Sequence, residues 1–216
     1  MSDTLAASIE HTMLAATATR AMIERHCAEA RTHQLFAVCV NPLWVSRCVA
    51  LLASTEVKVV TVVGFPLGAT TTVAKAFEAE LAVAQGAAEI DMVISLGPLK
   101  AGDRFAVCED IRAVVKAAAG CPVKVILETA ALGDGEKKLG CALAEEAGAR
   151  FVKTCTGFGP GGATEADVRL LREVVGDRLG VKASGGIREA GFARALIAAG
   201  ADRIGTSNGP ALLVPA

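Results

Sequence analysis

A chain of 216 residues, 52% of them hydrophobic and with a mean hydropathy of +0.46, can fill one substantial core and is short for two. Its apolar residues come in short runs broken by Gly, Asp, Lys and Glu, so no stretch of roughly 18 or more is available to span a bilayer. A net charge of −1, one Trp, no Tyr and seven Phe offer neither the basic footprint nor the stacking platform of a nucleic-acid binder, nor a cationic patch for anionic membranes.

Short β-prone runs follow one another along the chain: SIEHTML (8–14), FAVCV (36–40), VKVVTVVGF (57–65) and AEIDMVI (88–94). They continue as VKVILET (123–129), RFVKT (150–154), GVKAS (180–184) and ADRIGTS (201–207). Between them lie helical patterns such as TTTVAKAFEAELAVAQG and TEADVRLLREVVG. In the latter, Val168, Leu171, Val174 and Val175 fall on one helical face. QGAAEI, AGARFV and AGADRI each set a glycine after a helix and a strand next, as a left-handed helix end requires. Thr164 with Asp167 reads as a helix N-cap. Eight alternating units predict one (β/α)8 TIM barrel over residues 1–216, with a doubly wound open sheet as the alternative.

The seven cysteines (27, 39, 48, 108, 121, 141, 155) contain no CxxC pair, and the opening MSDTLAASIEHT has no apolar leader. Both point to a reducing cytoplasm, with the thiols as small buried hydrophobes. The histidines at 11, 26 and 33 lack HxxxH or HxH spacing, so no protein-built metal site is expected.

Charged residues within strands carry the chemistry. Asp91 lies in EIDMVI, Lys153 in FVKTCT and Lys182 in GVKASGG. A strand's period of two allows all three to point into the barrel, and neighbouring strands are about 4.8 Å apart. Two ammonium groups that close oppose each other's charging, and burial acts in the same direction. A neutral amine is what attack on a carbonyl needs. Asp91 would hold the second lysine charged and pass protons. The plainer alternative is a structural ion pair filling the barrel. Lys58 and Lys124 open their strands, at the N-terminal end, and read as structural. Glu128, at the far end of its strand, is either an orienting group or a loop-edge carboxylate.

Glycine-rich turns after several strands suggest a phosphate. Adjacent glycines in SGGIR, and IGTSNG before a short final helix PALLVPA, match a common barrel site after strands 7 and 8. Candidate ligands are Gly185, Gly186, Ser207 and Asn208, with Gly157 from the strand-6 turn. Arg188 adds charge there or lies on a helix surface.

At these residues the sequence resembles the deoxyribose-phosphate aldolase family, from IEHTML through VCVNP, VVGFPLGATTT, EIDMVI, VKVILET, FVKTCTGFG and GVKASGGIR to RIGTS. The resemblance implies reversible cleavage of 2-deoxy-D-ribose 5-phosphate to D-glyceraldehyde 3-phosphate and acetaldehyde. It implies Lys153 as the Schiff-base lysine, Lys182 as its neighbour in proton transfer and Asp91 as partner acid/base. Thr12 falls near the substrate, no cofactor or metal is called for, and a homodimer or tetramer is expected. Cys39 matches a cysteine that reactive aldehydes attack in some members, although a packed thiol is the simpler role. Another Schiff-base aldolase or lyase on a phosphosugar, or a non-catalytic phosphosugar-binding barrel, are the alternatives. Departures are Glu10 in place of the family's usual aspartate, Ser95 for asparagine, Asn208 for serine, and ETAALGDGEKK before the helix after strand 5. Glu10 is expected to lengthen or shift a contact near the second lysine. Asn208 is expected to change phosphate affinity rather than chemistry. Cys155 has no assigned role.

Overall fold

The computed structural model describes residues 5–213. Eight parallel strands close into a barrel in chain order: β1 (Ile9–Met13), β2 (Ala37–Val40), β3 (Lys58–Val63), β4 (Glu89–Val93), β5 (Val123–Ile126), β6 (Phe151–Lys153), β7 (Gly180–Ser184) and β8 (Arg203–Thr206). The helices α1 (Arg20–Thr32), α2 (Val45–Leu52), α3 (Thr72–Ala84), α4 (Leu96–Lys100), α5 (Arg104–Ala117), α6 (Asp134–Glu146), α7 (Glu165–Val175) and α8 (Ala190–Ala198) intervene. Each predicted run holds one strand, and the open sheet is excluded by the β1–β8 pairing.

The boundaries have local causes. Thr164 Oγ1 accepts the Asp167 N–H at 3.0 Å and caps α7. Gly86, Gly148 and Gly200 have positive φ behind α3, α6 and α8, where the sequence places a helix end. In the departing ETAALGDGEKK stretch, the Glu136 carboxylate accepts the Gly133 N–H at 2.8 Å and closes the start of α6. After β8 the described chain makes a 3-10 turn over Pro210–Leu213, and the last three residues of PALLVPA lie outside the described range.

The main core lies between sheet and helices, built from outward-facing strand residues such as Val38, Val59, Ile90, Met92 and Val152. On α7 it takes Val168, Leu171 and Val175. Inside the barrel the two sides differ. Ala37, Cys39, Val60 and Val62 form an apolar patch along β2 and β3. The opposite side, from β4 round to β1, is lined with charge. That asymmetry positions the site.

Candidate active site

Register decides which charged residues meet. Asp91 pairs with Lys124 across β4–β5, and Lys153 pairs with Lys182 across β6–β7. Partners at one level of a parallel sheet share a face, and these four share the inner one. Asp91 Oδ2 accepts from Lys153 Nζ at 2.8 Å and from Lys182 Nζ at 2.6 Å, and its Oδ1 accepts from Lys124 Nζ at 2.9 Å. The sequence expectation that Asp91, Lys153 and Lys182 converge is met in space.

One expectation of position is corrected. Lys124 is not at the barrel end: its register places it beside Asp91, fully buried, with Glu89 Oε2 at 2.7 Å and Glu10 Oε1 at 3.4 Å. Strand β5 begins higher along the axis than its sequence run suggests. The Glu10 carboxylate bonds Lys182 Nζ directly, and its other oxygen faces Lys124. Lys58 does stay at the N-terminal mouth, about half exposed, 3.6 Å from Glu89. Glu89 was missed as a member of the network. Its shared inward parity with Asp91 is the sequence signal that could have found it.

The electrostatics follow from this crowding. Burial opposes charge on Asp91, but Lys124, Lys153 and Lys182 hold its carboxyl well below the usual carboxylate range. Burial likewise opposes the Lys182 ammonium, yet Asp91 and Glu10 hold it above the usual lysine range. Lys124 is raised in the same way, by Asp91, Glu10 and Glu89 against burial. Both are fixed cations beside Asp91.

A cavity of ≈ 360 Å³ opens at the C-terminal mouth of the barrel, lined by Thr12, Lys153, Gly157, Gly185, Gly186 and Ser207 among others. Six predicted site residues thus border one space, and exposed Arg188 joins them. Asp91 and Lys182 lie beneath it, fully buried. Asn208 is the exception: it is not on this cavity, and its Nδ2 donates to the Arg188 carbonyl at 3.1 Å. An amide there caps the neighbouring turn.

The turns are shaped by their glycines. Gly185 and Gly186 have φ of +99° and +74°, and a Cβ on Gly162 would stand 2.5 Å from the Gly185 carbonyl oxygen. The β6 and β7 turns are therefore packed backbone to backbone. Ser184 Oγ donates to the Cys155 carbonyl at 2.5 Å, and Cys155 itself is a buried spacer beneath Gly185. Glu128, in a left-handed conformation with φ +57°, accepts from the Thr156 hydroxyl and orients the β6 turn. Burial pushes the Cys39 thiol up to about 11, so it sits protonated in the barrel wall. Ser95 is not at the site; it belongs to a separate buried cluster with Lys75 and Asp110.

Comparison with known proteins places this architecture. The deoxyribose-phosphate aldolase of Brevibacillus brevis is 53% identical over 208 residues, covering 96% of this chain and 94% of the relative. Deoxyribose-phosphate aldolase 1 of Bacillus licheniformis is 53% identical over 214 residues, covering 99% and 96%. Among solved structures, the tetrameric deoxyribose phosphate aldolase from Aeropyrum pernix matches with a TM-score of 0.90 at 34% identity, over 97% of this chain and 89% of that one. The DeoC/LacD family aldolase profile spans residues 5–213. With half of its residues shared over almost its whole length, this chain belongs to the DeoC/LacD family of aldolases.

Proposed function

We propose that the chain cleaves 2-deoxy-D-ribose 5-phosphate to D-glyceraldehyde 3-phosphate and acetaldehyde through an imine on Lys153. One observation carries the reading: three buried lysines bond Asp91, and only Lys153 also borders the cavity. The Lys153 amine adds to the C1 aldehyde of the open-chain sugar, and the carbinolamine loses water to give a protonated imine. The C3 hydroxyl then loses its proton and becomes a carbonyl as the C2–C3 bond breaks. Its electron pair moves into the imine, leaving an enamine and releasing glyceraldehyde 3-phosphate. Protonation at C2 and hydrolysis release acetaldehyde and restore the amine.

The proton carriers are the Lys182 ammonium and Asp91. Both lysines share the single oxygen Oδ2, which gives a proton a two-bond route between them. Gly157, Gly185, Gly186 and Ser207 supply backbone donors to the phosphate, with Arg188 adding charge, and so fix the sugar remote from the breaking bond. Thr12 borders the sugar end. Its hydroxyl donates to the Glu10 carbonyl at 3.0 Å and keeps its lone pairs for a substrate hydroxyl.

A substrate panel tests this reading. Deoxyribose 5-phosphate should exceed ketose phosphates and keto acids in kcat/KM by more than about a hundredfold. Preference for a keto acid would overturn the substrate assignment.

The same reading makes the enzyme a homo-oligomer, dimer or tetramer. Val73, Phe77 and Leu81 form an exposed apolar stripe on α3, with Phe105 exposed on the adjoining α5, and a second copy is its occupant. Light scattering should give a multiple of 22.0 kDa. Phe77→Glu should lower that mass, and a monomeric wild type would contradict the assignment. A cytoplasmic setting is supported by seven free cysteines, six of them buried, and no described helix is long and apolar enough to cross a membrane.

A further inference from the structure

On β1 the residues alternate: Glu10 and Thr12 face the barrel interior, and His11 between them faces α1. There it stacks on His26 with ring centroids 3.9 Å apart. Glu29 lies one helical turn beyond His26, on the same face of α1. Their ligating atoms all fall within 4.8 Å of one another, beside a second cavity of ≈ 400 Å³ that Met13, Met22 and Asn208 also border.

The hydrogen bonds fix which nitrogens are free. His26 Nε2 lies 3.1 Å from the His11 carbonyl, an acceptor, so Nε2 carries the proton and Nδ1 keeps its lone pair. His11 Nε2 lies 3.1 Å from Glu29 Oε2. If Nε2 donates there, His11 Nδ1 holds a lone pair, and that atom is buried with no hydrogen-bond partner. A cation on Nε2 is compatible with the ring: the proton moves to Nδ1, the Thr206 backbone is a hydrogen-bond acceptor for the His11 ring, and no proton is lost overall. Arg25 approaches the other carboxylate oxygen, Oε1, at 4.0 Å and leaves Oε2 for the cation.

We propose that His11, His26 and Glu29 form a binding site for a divalent transition metal such as Zn²⁺, on the outer side of β1 and separate from the Lys153 site. Two imidazoles and one carboxylate are an established zinc set, with water in the fourth position. Tetrahedral zinc needs ligand atoms roughly 3.3 Å apart. The His11–Glu29 pair already meets this, the half-exposed Glu29 side chain can follow the ion, and metal binding would turn the two stacked rings so that their ring planes meet at it. The spacing of the histidines along the chain hides the site, because one comes from a strand and the other from the following helix. Ser207 borders both this cavity and the one above Lys153, so the metal would brace the turn after β8.

The test uses the full chain freed of metal by chelation, titrated with Zn²⁺ in a calorimeter and with Co²⁺ in a spectrophotometer. One equivalent should bind, with cobalt ligand-field bands and no thiolate charge-transfer band. Glu29→Gln and His26→Gln should each weaken Zn²⁺ by more than about tenfold. The Glu29 variant, altered at a half-exposed position, should keep the wild-type circular dichroism. The proposal is overturned if Zn²⁺ does not bind, if cobalt reports thiolate ligands, or if Glu29→Gln binds as tightly as wild type.

Discussion

Two buried lysine–aspartate clusters sit on either side of β4, and they do opposite things. In the outer one, Lys75 of α3 donates to Asp110 of α5 at 2.6 Å, to Ser95 Oγ at 2.9 Å and to the Val93 carbonyl at 3.0 Å. Thr72 and Ser95 hydroxyls complete the Asp110 carboxylate. Every donor there has an acceptor, the charges match one to one, and the cluster clamps α3 to α5 and to the end of β4. In the inner cluster, Asp91 serves three lysines, and one of these borders an open cavity. Burial alone makes an ion pair. A carboxylate shared among several lysines, with one amine left facing a ligand-sized space, makes a candidate nucleophile.

The largest effect that sharpens this contrast is catalytic. Lys182→Met should lower kcat by about 10²–10⁴-fold, as loss of a proton carrier does. Steady-state rates check it, and an unchanged kcat would mean that Lys182 carries no proton in the reaction. Lys75→Met should do the converse. It strands the Asp110 carboxylate in the interior and should cost about 3–5 kcal/mol of stability in denaturant unfolding, with kcat of the folded protein unchanged. Lys75→Met combined with Asp110→Leu should recover most of that loss.

A smaller effect concerns pH and stability. The Asp91 pKa is depressed on folding, so its contribution is present above the unfolded value near 3.8 and is lost as pH falls through the lower folded value. The Lys182 pKa is raised, so its contribution is present below 10.5 and is lost as pH rises through the higher folded value. Between those limits the inner cluster's contribution should be flat. Unfolding curves across that range check it, and a steep change near neutrality attributable to Asp91 or Lys182 would contradict the ion-pair geometry.

The sequence was legible where parity and position suffice. Asp91, Lys153 and Lys182 are recognisable because each is a charge in an apolar strand, followed by a turn at the barrel's C-terminal face. The glycine turns are legible because few other residues adopt φ near +74° to +99°. What register alone decides was not legible. Lys124 looks like a strand-end lysine until β5 is aligned with β4. Lys75 looks like any polar helix residue, since nothing in TTTVAKAFEAELAVAQG shows that α5 will cover it with Asp110. Asn208 sits one residue beyond Ser207 in the right turn, yet its side chain caps Arg188 instead of facing the cavity.

The central claim is that Lys153 alone among the buried lysines is the nucleophile. Borohydride reduction in the presence of acetaldehyde, followed by peptide mass mapping, tests it most directly. The account predicts a stable two-carbon adduct on Lys153, none on Lys75, Lys124 or Lys182, and no adduct at all in folded Lys153→Leu. An adduct on one of the other three, or none in the folded wild type, would contradict it.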